Sequence, residues 1–178
     1  IPFLTKFVFK KYLTHTTLMI STILIPRQRI AVLLGTNGET KQEVEKKTNT
    51  KIFIGEEITI GGEAVDVMTA ENIIKAIGRG FSPAAALELL DEEKVLHIIQ
   101  LRDSEKELAR IKARLIGTMG RARRNLEKLT NTRISVYGKT VSIIGSYEDA
   151  DVAKEAVEKL IEGSRHSNVY KFLETRKR

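Results

Sequence analysis

The sequence predicts an α+β protein made of two copies of one small domain, each in the order strand, helix, helix, strand, strand, helix. Two matched blocks and one recurring pattern carry that prediction. Gly35-Thr-Asn-Gly38 and Gly117-Thr-Met-Gly120 stand in similar surroundings 82 residues apart. Thr48-Asn-Thr-Lys-Ile52 and Thr130-Asn-Thr-Arg-Ile134 keep the same spacing of 82, and two blocks at one offset mark an internal duplication. Around both blocks, apolar stretches of strand and helix type recur in the same order.

Composition sets the outer bounds. The chain has 178 residues, enough for two small domains, and 42% hydrophobic content supports packed cores. Lys and Arg number 30 against 23 Asp and Glu, for a net charge of +7 and a pI near 9.6. That balance suits a polyanionic partner, and equally a merely basic soluble protein. The absence of cysteine excludes disulfides, thiol nucleophiles and cysteine-based zinc sites. His15, His97 and His166 lie far apart without metal-ligand spacing, so neither a metal nor a cofactor is expected.

Residues 1–20 read as an N-terminal extension. Its start is aromatic and basic, and the run Leu18 to Ile25 is apolar. A signal peptide is disfavoured because no small-residue cleavage site follows. The run is also well short of the roughly 20 residues that span a bilayer, so no membrane segment is expected. The extension is either an added strand or arm, or a poorly ordered segment. Met19 raises the hypothesis that the first 18 residues come from a start site assigned too early. Mass spectrometry of the native N-terminus tests this, and a chain beginning at Ile1 or earlier overturns it.

The first domain, with its linker, is expected over residues 21–92. Ser21 to Ile25 has the β-branched composition of a strand. Pro26 ends it and suits the start of a short helix, Arg27 to Leu34. After the glycine turn, Glu39 to Lys47 reads as a charged helix with Val44 as its main core residue. Thr50 to Ile54 and Glu57 to Ile60 form a hairpin around Gly55 and Glu56. Asp66 to Ile77 has helical spacing at Val67, Ile73, Ile74 and Ile77, and Gly80 follows its end. Ser82 before Pro83 signals a further short helix through Leu90, a linker in which Phe81 reads as a core plug between domains rather than an RNA contact.

The second domain, residues 93–178, repeats the order. Val95 to Leu101 is the strand, Glu105 to Ile116 and Arg121 to Leu129 the helices, and Arg133 to Tyr137 pairs with Thr140 to Ile144 across Gly138 and Lys139. Ser146 caps a helix from Tyr147 to Ile161, which Gly163 ends. Ser167 to Arg178 reads as an added C-terminal helix with a basic tail, Arg176-Lys-Arg178.

The glycine turns carry the candidate chemistry. Glycine tolerates backbone angles that other residues avoid, and it lets a foreign backbone approach closely. The helix after each turn presents free N–H groups that favour an anion, and Arg121, Arg123 and Arg124 add charge in the second copy. A Gly-x-x-Gly corner alone is equally an ordinary helix–turn–helix connection. The duplication favours a phosphate-bearing chain as the guest.

With this order and both turns in place, each unit resembles a K-homology (KH) domain of the eukaryotic type, type I. In that family a three-stranded sheet is packed by helices, and the GxxG loop clamps about four nucleotides of a single strand. The tandem resembles a narrower family, the two-KH small-subunit ribosome assembly factor called partner of Nob one, in its archaeal form. Gly35-Thr-Asn-Gly-Glu-Thr40, Ala76-Ile-Gly-Arg-Gly-Phe81, Arg110-Ile-Lys-Ala-Arg-Leu-Ile-Gly117, Ile134-Ser-Val-Tyr-Gly-Lys-Thr140 and His166-Ser-Asn-Val-Tyr170 carry the likeness. It implies binding near the 3′ end of small-subunit rRNA, beside the Nob one endonuclease that trims it, in the cytoplasm.

The expected RNA-binding residues are Gly117, Thr118, Met119, Gly120, Arg121, Arg123, Arg124, Arg114, Ile116 and Ile134, with Gly35, Thr36, Asn37 and Gly38 in the first unit. Helix spacing implies that the four arginines do not all face one way. A solvated face is their plainer reading, and core packing fits Ile116 and Ile134 as well as a groove wall does. The family's loops often hold Lys or Arg between the glycines, whereas these hold Thr36-Asn37 and Thr118-Met119. Glu39 follows the first loop and Arg121 the second, so the second unit is expected to be the stronger clamp. No paired carboxylates or nucleophile–base set calls for catalysis. A KH adaptor in RNA decay or translation initiation is the alternative function, and a nuclease a third. A monomer is expected, since the chain carries its own pseudo-two-fold pair.

Overall fold

The computed structural model describes residues 18–101 and 104–176. The extension's reading over residues 1–17 and the tail's last two residues lie outside that range. The chain divides into two compact units between Lys75 and Ala76.

In the first unit, β1 (Leu18–Ile23) leads to α1 (Arg27–Leu34), a single 3-10 turn (Thr36–Gly38) and α2 (Glu39–Lys47). Then come β2 (Lys51–Ile54), β3 (Ile58–Glu63) and α3 (Ala64–Gly78), whose last turn belongs to the second unit. The second unit continues with α4 (Pro83–Ala86) and a 3-10 turn (Leu87–Leu90), then β4 (Lys94–Gln100), α5 (Glu105–Ile116), a 3-10 turn (Thr118–Gly120) and α6 (Arg121–Thr130). It closes with β5 (Arg133–Tyr137), β6 (Thr140–Ser146), α7 (Tyr147–Ile161) and α8 (His166–Arg176). Each unit has an antiparallel three-stranded sheet, ordered β1-β3-β2 and β4-β6-β5.

Several bounds differ from the sequence expectation. Leu18 to Ile20, placed in the extension, belong to β1 and pair with Gly61 to Glu63. The pairing keeps two glycines inside β3, beyond the strand end expected at Ile60; Gly62 lies close under the Thr50 methyl. The linker, grouped with the first domain by the sequence, packs in the second unit. Ser135 donates its hydroxyl to the Arg79 carbonyl at 2.8 Å, and Arg133 reaches Glu88 at 3.0 Å. Phe81 is buried there, and Ser82 caps α4 by accepting from the Ala85 N–H.

The repeated Thr-Asn-Thr block has the same role in both units. Asn49 and Asn131 take left-handed φ values of 49° and 52°, which Asn tolerates better than most residues. The amides of Thr50 and Thr132 then reach back to the carbonyls of Glu45 and Glu127, both at 3.1 Å, closing α2 and α6. The buried hydroxyls pair as Thr48 with Thr50 and Thr130 with Thr132, both at 2.8 Å. The same two glutamates accept the N–H of Ile52 (2.7 Å) and Ile134 (2.9 Å), an outward-facing donor on each edge strand. Partners Ile52–Ile60 and Ile134–Ile143 show that the offset grows from 82 to 83 across the hairpin, because the second ladder runs one pair further, to Tyr137–Thr140, before a shorter turn.

The cores follow the apolar periodicity. Val44, Val67, Ile73, Ile74 and Ile77 are fully buried. In the second unit, Leu126, Ile143, Val157 and Leu160 share a cluster with Val169 and Leu173, the residues that seat α8.

A Cβ on Gly145 in β6 would stand 2.7 Å from the Thr132 methyl. Gly145→Ala should therefore cost on the order of 1–3 kcal/mol, read as a lower midpoint of urea unfolding. Adding Thr132→Ser removes that methyl, keeps the hydroxyl pair, and should recover more than half of the loss.

Candidate nucleic-acid interface

The second glycine loop starts where α5 runs out of side-chain space. The Gly117 N–H closes the helix on the Ala113 carbonyl at 2.8 Å, and its φ of 69° is left-handed. A Cβ there would lie 2.7 Å from the Ala122 Cβ and 2.9 Å from the Ala122 nitrogen, so only glycine lets the turn lie against the start of α6. Met119 and Gly120 follow at φ values of 51° and 75°, and the Gly120 N–H bonds the Gly117 carbonyl at 3.1 Å. Met119 is 82% exposed at the tip. The Arg121 N–H bonds the Thr118 carbonyl, and no side chain caps α6, so its N-terminus has no anionic or hydroxyl partner from the fold.

The first loop has the same backbone. Gly35, Asn37 and Gly38 take φ values of 70°, 54° and 82°, and a Cβ on Gly35 would collide with the Thr40 hydroxyl. The electrostatics differ. Glu39 opens α2, and two lysines of that helix pair within it, Lys41 with Glu45 at 3.2 Å and Lys47 with Glu43 at 2.8 Å. Residues 18–75 hold seven Lys and Arg against eight Asp and Glu, whereas residues 76–178 hold twenty against fifteen. The cationic excess of the described domains sits in the second unit.

The arginines separate by face, as helix spacing implied. Arg121 and Arg124 are exposed, and the Arg124 guanidinium folds back toward Gly120. Lys128, one turn beyond Arg124, continues the stripe. The i, i+4 spacing makes it legible, yet the sequence reading omitted it. Arg124, Lys128, Lys94 and Arg133 line one open groove of about 780 Å³ that also holds Glu88, Glu127 and Asp149. Burial pushes the Glu88 carboxyl up, but hydrogen bonds from Lys94 and Arg133 more than offset that and hold it below its ordinary value. Arg123 turns the other way, with its Nε 3.9 Å from the Glu127 carboxylate.

Arg114 turns part of its guanidinium inward. Its guanidinium donates to the carbonyls of Leu160 and Gly163, both at 3.1 Å, and to that of Ser164. Its Nε and Nη2 donors are thus engaged at the end of α7 and the turn after it. Ile134 is 3% exposed and belongs to the core, while Ile116, at 37%, leaves an apolar surface beside Gly117. Thr118 and Thr36 are exposed within their loops.

Two βααββα units, each with a Gly-x-x-Gly turn between its first two helices, define a tandem KH protein of the type I topology. A eukaryotic-type KH model, that of the second PNO1 domain, matches residues 92–178, and a general KH domain model matches residues 20–76. A KH domain-containing protein of Methanocaldococcus jannaschii is 42% identical over 165 residues, covering 87% of this chain and 73% of the relative. The chain belongs to the PNO1 family of tandem KH proteins. A pre-rRNA-processing protein pno1 of Aspergillus fumigatus is 30% identical over 106 residues, 56% of this chain and 42% of the relative. The a/eIF2alpha–aDim2p–rRNA complex of Pyrococcus horikoshii contains a chain that is 44% identical with a TM-score of 0.86, covering 92% of this chain and 96% of that one.

Arg114→Lys separates the two roles of that residue, since it keeps the charge and loses the planar fork. The expected outcome is a loss of stability on the order of 1–3 kcal/mol in urea unfolding. A phosphate contact would instead tolerate the exchange with little change in stability.

Proposed function

We propose that this protein binds single-stranded RNA near the 3′ end of small-subunit rRNA during assembly of the small ribosomal subunit, held mainly by the second GxxG loop. The observation that carries this reading is the contrast between two loops of one backbone geometry. Only the second opens onto arginines. Gly117 and Gly120 let the RNA backbone lie against the turn, and the uncapped N-terminus of α6 faces a phosphate. Arg121 and Arg124 neutralise the neighbouring phosphates, with Lys128 further along the helix. Thr118 and Met119 project into the path of the strand, and Ile116 offers an apolar contact to a base. Arg123 lies toward β5, where it borders the bases rather than the backbone. The first loop, Gly35 to Gly38, is a scaffold or a weak auxiliary site.

The relatives support the ribosomal setting: one is named for pre-rRNA processing and another was crystallised with rRNA. The protein acts without bond chemistry, as a monomer in the cytoplasm, beside an rRNA-trimming endonuclease of the Nob one type. Among the described residues no helix is long and apolar enough to cross a membrane.

The test is fluorescence anisotropy with a labelled single-stranded RNA from the 3′ end of small-subunit rRNA. Thr118→Asp/Met119→Asp should weaken binding by about tenfold or more, roughly 1.4 kcal/mol, and Thr36→Asp/Asn37→Asp should change it little. Equal losses would mean that the two loops share the RNA, and no loss in either would make both loops structural turns. Arg121→Ala and Arg124→Ala should each lower the slope of log affinity against log salt by about 0.7, as the loss of one single-strand phosphate contact does. A flat salt response contradicts the clamp.

A further inference from the structure

We propose that α8 is a strut for the second GxxG loop, and that His166 is a positioning residue for RNA binding. The inference rests on the reading of that loop as the RNA clamp. Arg114, three residues before Gly117, lies in the last turn of α5, whose final carbonyls have no acceptor role inside the helix. Its carbonyl takes a hydrogen bond from His166 Nε2 at 3.0 Å. A carbonyl only accepts, so Nε2 carries the proton, and either charge state of the ring can donate it. In return, the Arg114 side chain holds the carbonyls of Gly163 and Ser164, the turn that feeds α8. The two residues thus close a reciprocal clasp: the side chain of α5 grips the approach to α8, and the first residue of α8 grips the backbone of α5.

The clasp is anchored on rigid ground. Val169 and Leu173 are buried at 0% and 1%, and α8 packs on both α6 and α7. Tyr170, one turn along, sets its ring 5.9 Å from the imidazole at 55°. The helices on both sides of the loop are therefore tied to one element: α6 by packing and α5 by the clasp. At the equivalent place in the first unit stands Val32, whose side chain cannot make the Arg114 bonds. A pre-set loop binds more tightly because less ordering is left to the binding step. The clasp accordingly contributes to the difference between the loops alongside charge.

The experiment uses the full chain with His166→Ala and His166→Gln, since glutamine brings an amide N–H to nearly the place of Nε2. Amide exchange by NMR reads the loop directly, because the Gly117 and Gly120 N–H groups are both hydrogen-bonded within it. In His166→Ala their exchange should rise about fivefold or more, with Gly35 and Gly38 unchanged as internal controls. The dissociation constant for the same labelled RNA should rise about three- to tenfold. His166→Gln should restore most of both. Unchanged exchange and affinity in His166→Ala overturn the proposal. So does faster exchange spread evenly through the second unit, which would make His166 only a general stabiliser. If Thr118→Asp/Met119→Asp leaves RNA binding intact, the clamp reading fails instead, and the exchange data still decide whether the clasp holds the loop.

Discussion

A missing atom sets the geometry on which the rest depends. Gly117 approaches Ala122 so closely that a Cβ would overlap it, and this lets α6 begin as soon as α5 has ended. Two helices joined by so short a turn leave their carbonyl and amide ends side by side, one negative and one positive. The fold settles the negative end internally, through His166 on the Arg114 carbonyl, and leaves the positive end open to solvent. The basic stripe of α6 lies beside that open end. Anion recognition thus follows from which helix terminus is satisfied and which is not.

The two units show how far a duplicated backbone can diverge in use. Loop angles agree within about ten degrees, and the Thr-Asn-Thr lock keeps its hydrogen bonds to within 0.2 Å. Side chains carry the difference. At the places of Arg121 and Arg124 in α6, both exposed, α2 has Glu39 and Gln42, whereas the pair Lys41–Glu45 has its counterpart in Arg123–Glu127.

Much of the fold was legible because its helices announce their ends. Pro26, Ser146 and the glycine turns place α1, α2, α5 and α7 within the expected bounds, since caps and breakers act locally. The first strand was harder: Leu18 to Ile20 become strand by pairing with Gly61 to Glu63, which lie beyond the strand end expected at Ile60. The linker was assigned to the wrong side for a similar reason, because the Glu88–Arg133 and Arg79–Ser135 contacts span 45 and 56 residues. At the candidate site the glycines were fixed by local backbone need. The inward bonds of Arg114 were not legible, because a cation near a phosphate-type loop has the same sequence signature whether it meets RNA or a helix end 46 to 50 residues away.

The carboxylates of Glu45 and Glu127 have a consequence beyond the units that contain them. Each occupies an N–H on the open side of an edge strand, removing one rung from the ladder a foreign strand would need. An unprotected edge invites a second chain to add itself and templates growth. In each unit one carboxylate thereby closes a helix end to its neighbouring strand and blocks a rung of that strand's outer side.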